Sequence, residues 1–257
     1  MTMMKDRTRN FYFYSLFGVP FDKVAGLEVK GKIILCAHKA YGDLSRTIGY
    51  CLSTNEIEKK KKDPEVQKYN NQKNMFKDEV CEYIGGQISV LLENVRGKGC
   101  TEFDTWHSEI CNEIIKKAKD KEGLVKDFNY GQAQKWVNMT IKYMDVTGLW
   151  DDCEAYKHLR TICHIPVDSY ILEAASDEGI VAPCKNGEMG SYKESKSLKW
   201  SQWQEEHYKM FIGIPYDKNG NYKQKCLRSI PKSLPDWEDE KWIEYAHKNS
   251  NKNSPKK

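Results

Sequence analysis

Two short stretches hold the residue types from which chemistry could be built. Gly131-Gln132-Ala133-Gln134-Lys135 opens a predicted helix, and Ile165-Pro166-Val167-Asp168-Ser169-Tyr170-Ile171 opens a later one. An amine and a carboxylate, 33 residues apart, therefore each sit near the start of a helix. Taken singly, each has a plain structural reading. A lysine on the polar face of an amphipathic helix is ordinarily solvated, and an aspartate two residues after a proline ordinarily caps the first amides and meets the positive end of the helix dipole. His107 and Cys111, four apart on a helix, could share a metal, but no third or fourth ligand is placed beside them. Neither CxxC nor HExxH occurs, so no metal and no cofactor is expected. No glycine-rich phosphate loop is present either, which argues against a nucleotide-hydrolysing enzyme.

Taken together and in this order, the glycine-to-lysine turn and the Pro-Val-Asp segment resemble the helix-hairpin-helix DNA glycosylase superfamily. The spacing is closest to its archaeal 8-oxoguanine glycosylase branch, and the likeness covers roughly residues 100–175. The resemblance implies a two-part helical bundle in which Lys135 is a Schiff-base nucleophile and Asp168 the supporting carboxylate. Breaking an N-glycosidic bond builds positive charge on the sugar, which a buried carboxylate stabilises, while a neutral amine attacks C1′. A free lysine, with a pKa of about 10.4, must be helped to lose its proton by desolvation or a neighbouring cation, and Lys142 lies near the same helix face. A Schiff base also permits β-elimination, so the implied enzyme is a glycosylase with strand-cleaving lyase activity. Its partner would be DNA, either a duplex with one base flipped into a pocket or a single strand. Gly131, Gln132, Gln134, Asn138, Lys142, His164 and Ser169 are expected to contact substrate or DNA. Trp136, Trp150, Tyr170, Trp200 and Trp203 are candidate aromatic walls. The sequence departs from the usual hairpin, whose Gly-x-Gly amides meet a phosphate, because Gln132-Ala133 follows the glycine. It also lacks the four-cysteine iron–sulfur spacing of some relatives. An oxidised guanine in the host's own DNA and a modified base in foreign DNA are equally compatible, so repair and defence both stand. Two alternatives differ in class: a DNA-binding module of this fold without catalysis, and a helical ribonuclease or toxin-like effector using Arg160 and His164. Asp22, Glu28 and Lys30 faintly resemble a metal-nuclease triad.

These residues must be held by helices. Apolar positions from Met75 to Arg96 recur at three and four residues, the mark of an amphipathic helix. A second helix begins at an N-cap of Thr101 or Asp104. A third, capped by Asn129 and running to about Met144, places Ala133, Trp136, Val137, Thr140 and Met144 on its buried side and Lys135, Asn138 and Lys142 on another face. A short helix over 151–160, one starting at Pro166, one over 200–211 and a last one over 237–247 complete the reading. The fold class expected is all-α, with a short strand or a packed N-terminal segment in residues 10–50, which include Lys32–Cys36. Residues 1–74 would form an N-terminal region packing with the C-terminal helices, 75–199 a central catalytic bundle, 200–247 the C-terminal helices and 248–257 a disordered basic tail. Within the first of these, 54–74 is charged and asparagine-rich, a solvated connection or exposed helix pair, with Lys59–Lys62 a solvated run.

Composition sets the outer bounds. The chain has 257 residues with 41 Lys and Arg against 37 Asp and Glu, and its net charge of +4 matches the four lysines of the acid-free segment from Lys248 onward. Binding of nucleic acid by bulk charge is thus not indicated, and a local surface would have to do it. No apolar run approaches the roughly 18–20 residues of a membrane span. The N-terminus lacks a signal-peptide cleavage pattern and nine cysteines fall at irregular spacings, so a cytoplasmic protein with reduced thiols is expected.

Overall fold

The computed structural model describes residues 2–186, 188–192, 197–214 and 225–252. These are 69% helical, with eleven α-helices and only two two-stranded antiparallel ladders, so the fold is predominantly all-α. In order, α1 (Thr2–Phe17), α2 (Phe21–Ala25) and α3 (Val29–Leu44) precede β1 (Gly49–Tyr50) and α4 (Thr54–Lys59). The long α5 (Pro64–Asn94) and α6 (Cys100–Lys119) lead to β2 (Val125–Asp127), which pairs with β1, and then to α7 (Tyr130–Thr147). Next come α8 (Glu154–Ile162), α9 (Ser169–Asp177), the pair β3 (Ala182–Pro183) and β4 (Met189–Gly190), α10 (Glu205–Ile212) and α11 (Leu234–Lys252). No helix among the described residues is long and apolar enough to cross a membrane, and all nine cysteines are unpaired.

Several elements differ from the sequence reading for identifiable reasons. Lys32–Cys36 is helix, not strand: Ile33, Cys36, Ala37, Ala40 and Leu44 fall at helical spacing and are all buried. Asp22 and Lys30 accordingly lie on α2 and α3, with Glu28 at the α3 N-cap, so the triad has no strand to share. Helix α3 lies against α5 and α7, inside one continuous hydrophobic core that reaches Tyr245 of α11. The helix expected from Met75 begins eleven residues earlier. Pro64 suits its first position, the Asp63 carboxylate accepts the Glu65 N–H at 2.9 Å, and Val66 and Tyr69 are buried within the charged segment. Lys59–Lys62 is exposed, as read. The N-cap of α6 is Gly99, whose N–H donates to the Glu102 carboxylate at 3.0 Å. Pro166 lies upstream of α9, because Asp168 takes the cap. The period over 200–211 breaks into a 3₁₀ turn at Trp200–Gln202 and α10. Residues 248–252 of the expected disordered tail continue α11, while 253–257 lie outside the described residues.

Asp104, free of the capping role, turns inward. It joins the His164 ring at 2.8 Å and the Arg228 guanidinium at 2.7 Å, so α6, the segment after α8 and the approach to α11 are tied by one carboxylate. Because a carboxylate only accepts, the His164 Nε2 carries the hydrogen. Burial alone would raise the Asp104 carboxyl, but the hydrogen bonds from His164 and Arg228 outweigh it and hold the group at about 2. Burial holds His164 below its usual range, leaving the ring neutral at pH 7. Its Nδ1 is buried without a partner.

A group depressed in the folded state stabilises fully above its unfolded value of about 3.9 and loses that contribution as pH falls through the folded one. Asp104→Asn leaves Arg228 without its counter-charge and is expected to cost about 3 kcal/mol. Urea unfolding should also show the parent's stability falling between about pH 4 and 2 more steeply than the variant's.

Candidate active site

Helix α7 is buried along most of its length, including residues that a surface helix would give to water. Its start is fixed by Gln132, whose Oε1 accepts the Asn129 N–H at 2.5 Å and whose Nε2 donates to the Thr47 carbonyl at 2.6 Å. Gly131 lies against the 3₁₀ turn at Trp200. A Cβ there would stand 1.8 Å from the Trp200 carbonyl oxygen, so only glycine permits the approach. Its N–H donates to the Trp203 carbonyl at 2.9 Å. The opening of α7 is therefore committed to the protein itself, and the expected substrate contacts of Gly131 and Gln132 are replaced by packing.

Gln134 is fully buried and acts as a clamp. Its Oε1 accepts the Val167 N–H at 3.3 Å while its Nε2 donates to the Val167 carbonyl at 3.3 Å, as a neighbouring strand would. Asn138 continues the line, its Nδ2 within 3.1 Å of Gln134 Oε1, the Ile165 carbonyl and the Tyr208 hydroxyl. Its Oδ1 accepts from His107, which burial keeps neutral. Gln134 and Asn138 thus hold the 165–167 segment to α7 instead of meeting DNA. His107 serves the same network beside Cys111, and no metal-holding group of ligands exists among the described residues.

The clamp aligns the next residue on each side. Lys135 Nζ lies 3.2 Å from Asp168 Oδ2, with Lys135 only 7% exposed. The other Asp168 oxygen accepts the Tyr170 and Ile171 N–H groups at 3.0 and 3.1 Å, so one carboxylate caps α9 and meets the lysine. The lysine amine also sits 4.7 Å from the centre of the Trp200 ring. A cleft of about 450 Å³ opens here among α3, α7, α9 and α11. Lys135, Asp168, Lys142, Tyr170, Glu238 and Trp242 border it, together with Asp43 and Arg46. Tyr170 meets Trp242 edge to face at 5.6 Å between ring centres.

The remaining expected residues disperse. Trp136 is buried, its indole N–H donating to the Ala37 carbonyl at 3.0 Å. Trp150 packs on Tyr156 and Trp203 on Phe211, both inside the core. His164 is buried at Asp104, and Ser169 is exposed in the first turn of α9 without bordering the cleft. Of the five candidate walls, Tyr170 and Trp200 stand beside the Lys135–Asp168 pair. Arg160 is bound by Asp145, Asp236 and Asp239. Arg160 and His164 border a void of about 20 Å³, room for a single water.

Glu238 and Trp242 escaped the sequence reading, although a signal existed. Glu238 falls at i beside buried Trp237, with buried Tyr245 at i+7, so an acid occupies an inward-facing position of α11. Glu238 is 3% exposed and joined to Lys142, which also reaches Asp239 at 3.3 Å. No family model, no curated protein and no solved structure matches this chain.

Gln134→Ala would strand the Val167 N–H and carbonyl without side-chain partners in the interior, at an expected cost of about 2–3 kcal/mol in urea unfolding. Gly131→Ala, which must push the Trp200 backbone aside, should lower the melting temperature further than an alanine substitution at half-buried Gly86, where an added Cβ meets only the Lys30 side chain at 3.9 Å.

Proposed function

We propose that the chain is a DNA glycosylase with associated lyase activity, acting on a base flipped into the α3–α7–α9–α11 cleft. The observation that carries this reading is the pairing of Lys135 with Asp168: residues 33 apart in the chain meet at 3.2 Å, largely withdrawn from water, on the wall of an open cleft. A buried lysine beside one carboxylate and one aromatic face is costly to place unless it is paired, and a structural pair gains nothing from bordering open space. The cleft volume lies in the range of about 300–1,000 Å³ that suits a small bound group. Tyr170 borders the cleft and offers a surface on which a base can stack, while the Trp200 ring faces the Lys135 amine.

The chemistry follows from the pair. As the glycosidic bond breaks, its electron pair leaves with the base and positive charge grows on the sugar, where the Asp168 carboxylate opposes it. Lys135 first gives its ammonium proton to water in the open cleft, and the amine so freed forms the new bond to C1′. Transfer of one of its protons to O4′ opens the sugar ring and gives the Schiff base, from which β-elimination can cleave the strand. Fixed together by the Gln134 clamp, the two groups need little reorganisation when substrate arrives.

Borohydride trapping tests the reading on oligonucleotides carrying 8-oxoguanine, uracil, hydroxymethylated or glucosylated cytosine, or an abasic site. The parent should form a covalent adduct and Lys135→Ala none, with the base that yields it defining the substrate. Asp168→Asn should slow base release about 100-fold or more. A parent that neither traps nor releases any base, while binding the same DNA, would replace this reading with a non-catalytic DNA-binding module.

A further inference from the structure

The glycosylase chemistry above leaves one demand unmet: a base departing with an electron pair must be given a proton. Both oxygens of Asp168 are already taken as acceptors, one by Lys135 and the other by two α9 amides. Among the described residues bordering the cleft there are two further carboxyls, Asp43 and Glu238. Asp43 accepts the Tyr143 hydroxyl at 2.6 Å.

We propose, resting on that reading of the site, that Glu238 is the general acid that protonates the departing base. Glu238 projects from α11 into the wall that also bears Lys135 and Asp168, almost wholly buried, with Lys142 as its hydrogen-bond partner. Lys135, Lys142, Tyr143 and Asp145 of α7, Tyr156 and Arg160 of α8, Cys163 and His164 just beyond it, Asp168 and Tyr170 at the start of α9 and Asp239 of α11 are the titratable and charged groups around it, with Asp43 and Arg46 on the same cleft. The positive charge of Lys142 is shared with Asp239, which Arg160 also holds. Burial, opposed by Lys142 and reinforced by Asp239 and Asp168, pushes the Glu238 carboxyl up to about 7. A carboxyl in that range holds a proton often enough at neutral pH to give it up, and yields a carboxylate that Lys142 stabilises. The step balances. The O–H bond of Glu238 breaks as a base N–H bond forms, the glycosidic electron pair goes to the base, and Lys135 takes its place at C1′.

The test separates base release from capture of a sugar that has already lost its base, because only the first needs an acid. Single-turnover base release by the parent should fall about tenfold per pH unit above the Glu238 range near 7, whereas borohydride trapping on an abasic oligonucleotide should show no such descending limb. Glu238→Gln keeps an acceptor for Lys142 but has no proton of this kind to give. It should slow base release about 100-fold or more and remove the descending limb while still forming the abasic adduct. Base release by the variant at the parent's rate overturns the proposal, as does equal loss of release and abasic trapping, which would place Glu238 behind Lys135. Should the variant fail to fold, the parent's two profiles decide, and a shared pH dependence rejects the assignment. A parent that neither traps nor releases any base removes the glycosylase reading itself. A parent that traps on the abasic site, with a variant that releases the base as fast as the parent, removes only the role of Glu238.

Discussion

Burying a helix that carries Gln132, Gln134, Lys135, Asn138 and Thr140 in its first three turns is the constraint around which the molecule is arranged. Each of these side chains would cost on the order of 2 kcal/mol or more if left without a partner in the interior, and the lysine considerably more. The structure meets every demand. Gln132 ties to Asn129 and Thr47, Gln134 and Asn138 to the 165–167 backbone, Thr140 to the Trp136 carbonyl and Lys135 to Asp168. These bonds fix what lies around α7. The extended run before α9 is placed by its hydrogen bonds to two side-chain amides, and the Trp200 turn by its contact with a residue that has no Cβ. The precision of the Lys135–Asp168 geometry is thus inherited from polar groups that never meet a substrate.

The cleft has a second electrostatic layer. Beside the Lys135–Asp168 pair stands the Lys142–Glu238 pair, joined through Asp239 to Arg160 and so to Asp145 and Asp236. Closely set charges in a shielded wall influence one another far more strongly than exposed ones. The two carboxylates differ in environment. Asp168 receives a cation and two helix amides, whereas Glu238 is more deeply buried and shares its cation with a competitor. Environments that push two acids apart are how a single fold assigns one to stabilise charge and another to move a proton. The chain's near-even balance of charge gives little general attraction for a polyanion.

The period of Ala133, Trp136, Val137, Thr140 and Met144 told which side of α7 faces inward, because hydrophobic spacing survives any tertiary context. It did not tell that the opposite side is buried as well. Lys135, Gln134 and Asn138 look like solvent residues until the 163–168 segment and the Trp200 turn are laid over them. Glu238 was hidden for the same reason, since a lone acid within an apolar stripe acquires meaning only when a lysine from another helix arrives beside it. Five aromatic side chains had equal standing as pocket walls in the sequence. Packing sent Trp136, Trp150 and Trp203 to the core and left Tyr170 and Trp200 by the amine.

What the chain alone determined is its helical class, the inward face of its periodic helices, and the candidacy of one amine and one carboxylate at two helix starts. Local rules suffice for these, because caps, breakers and apolar spacing act over a few residues. Which polar groups lie in the interior, which aromatics reach the cleft, and the meeting of Lys135 with Asp168 and of Lys142 with Glu238 were decided only by the tertiary structure. Burial and pairing are properties of surfaces brought together from distant parts of the chain, and a residue's charge acquires its chemical character from neighbours that its own segment does not contain.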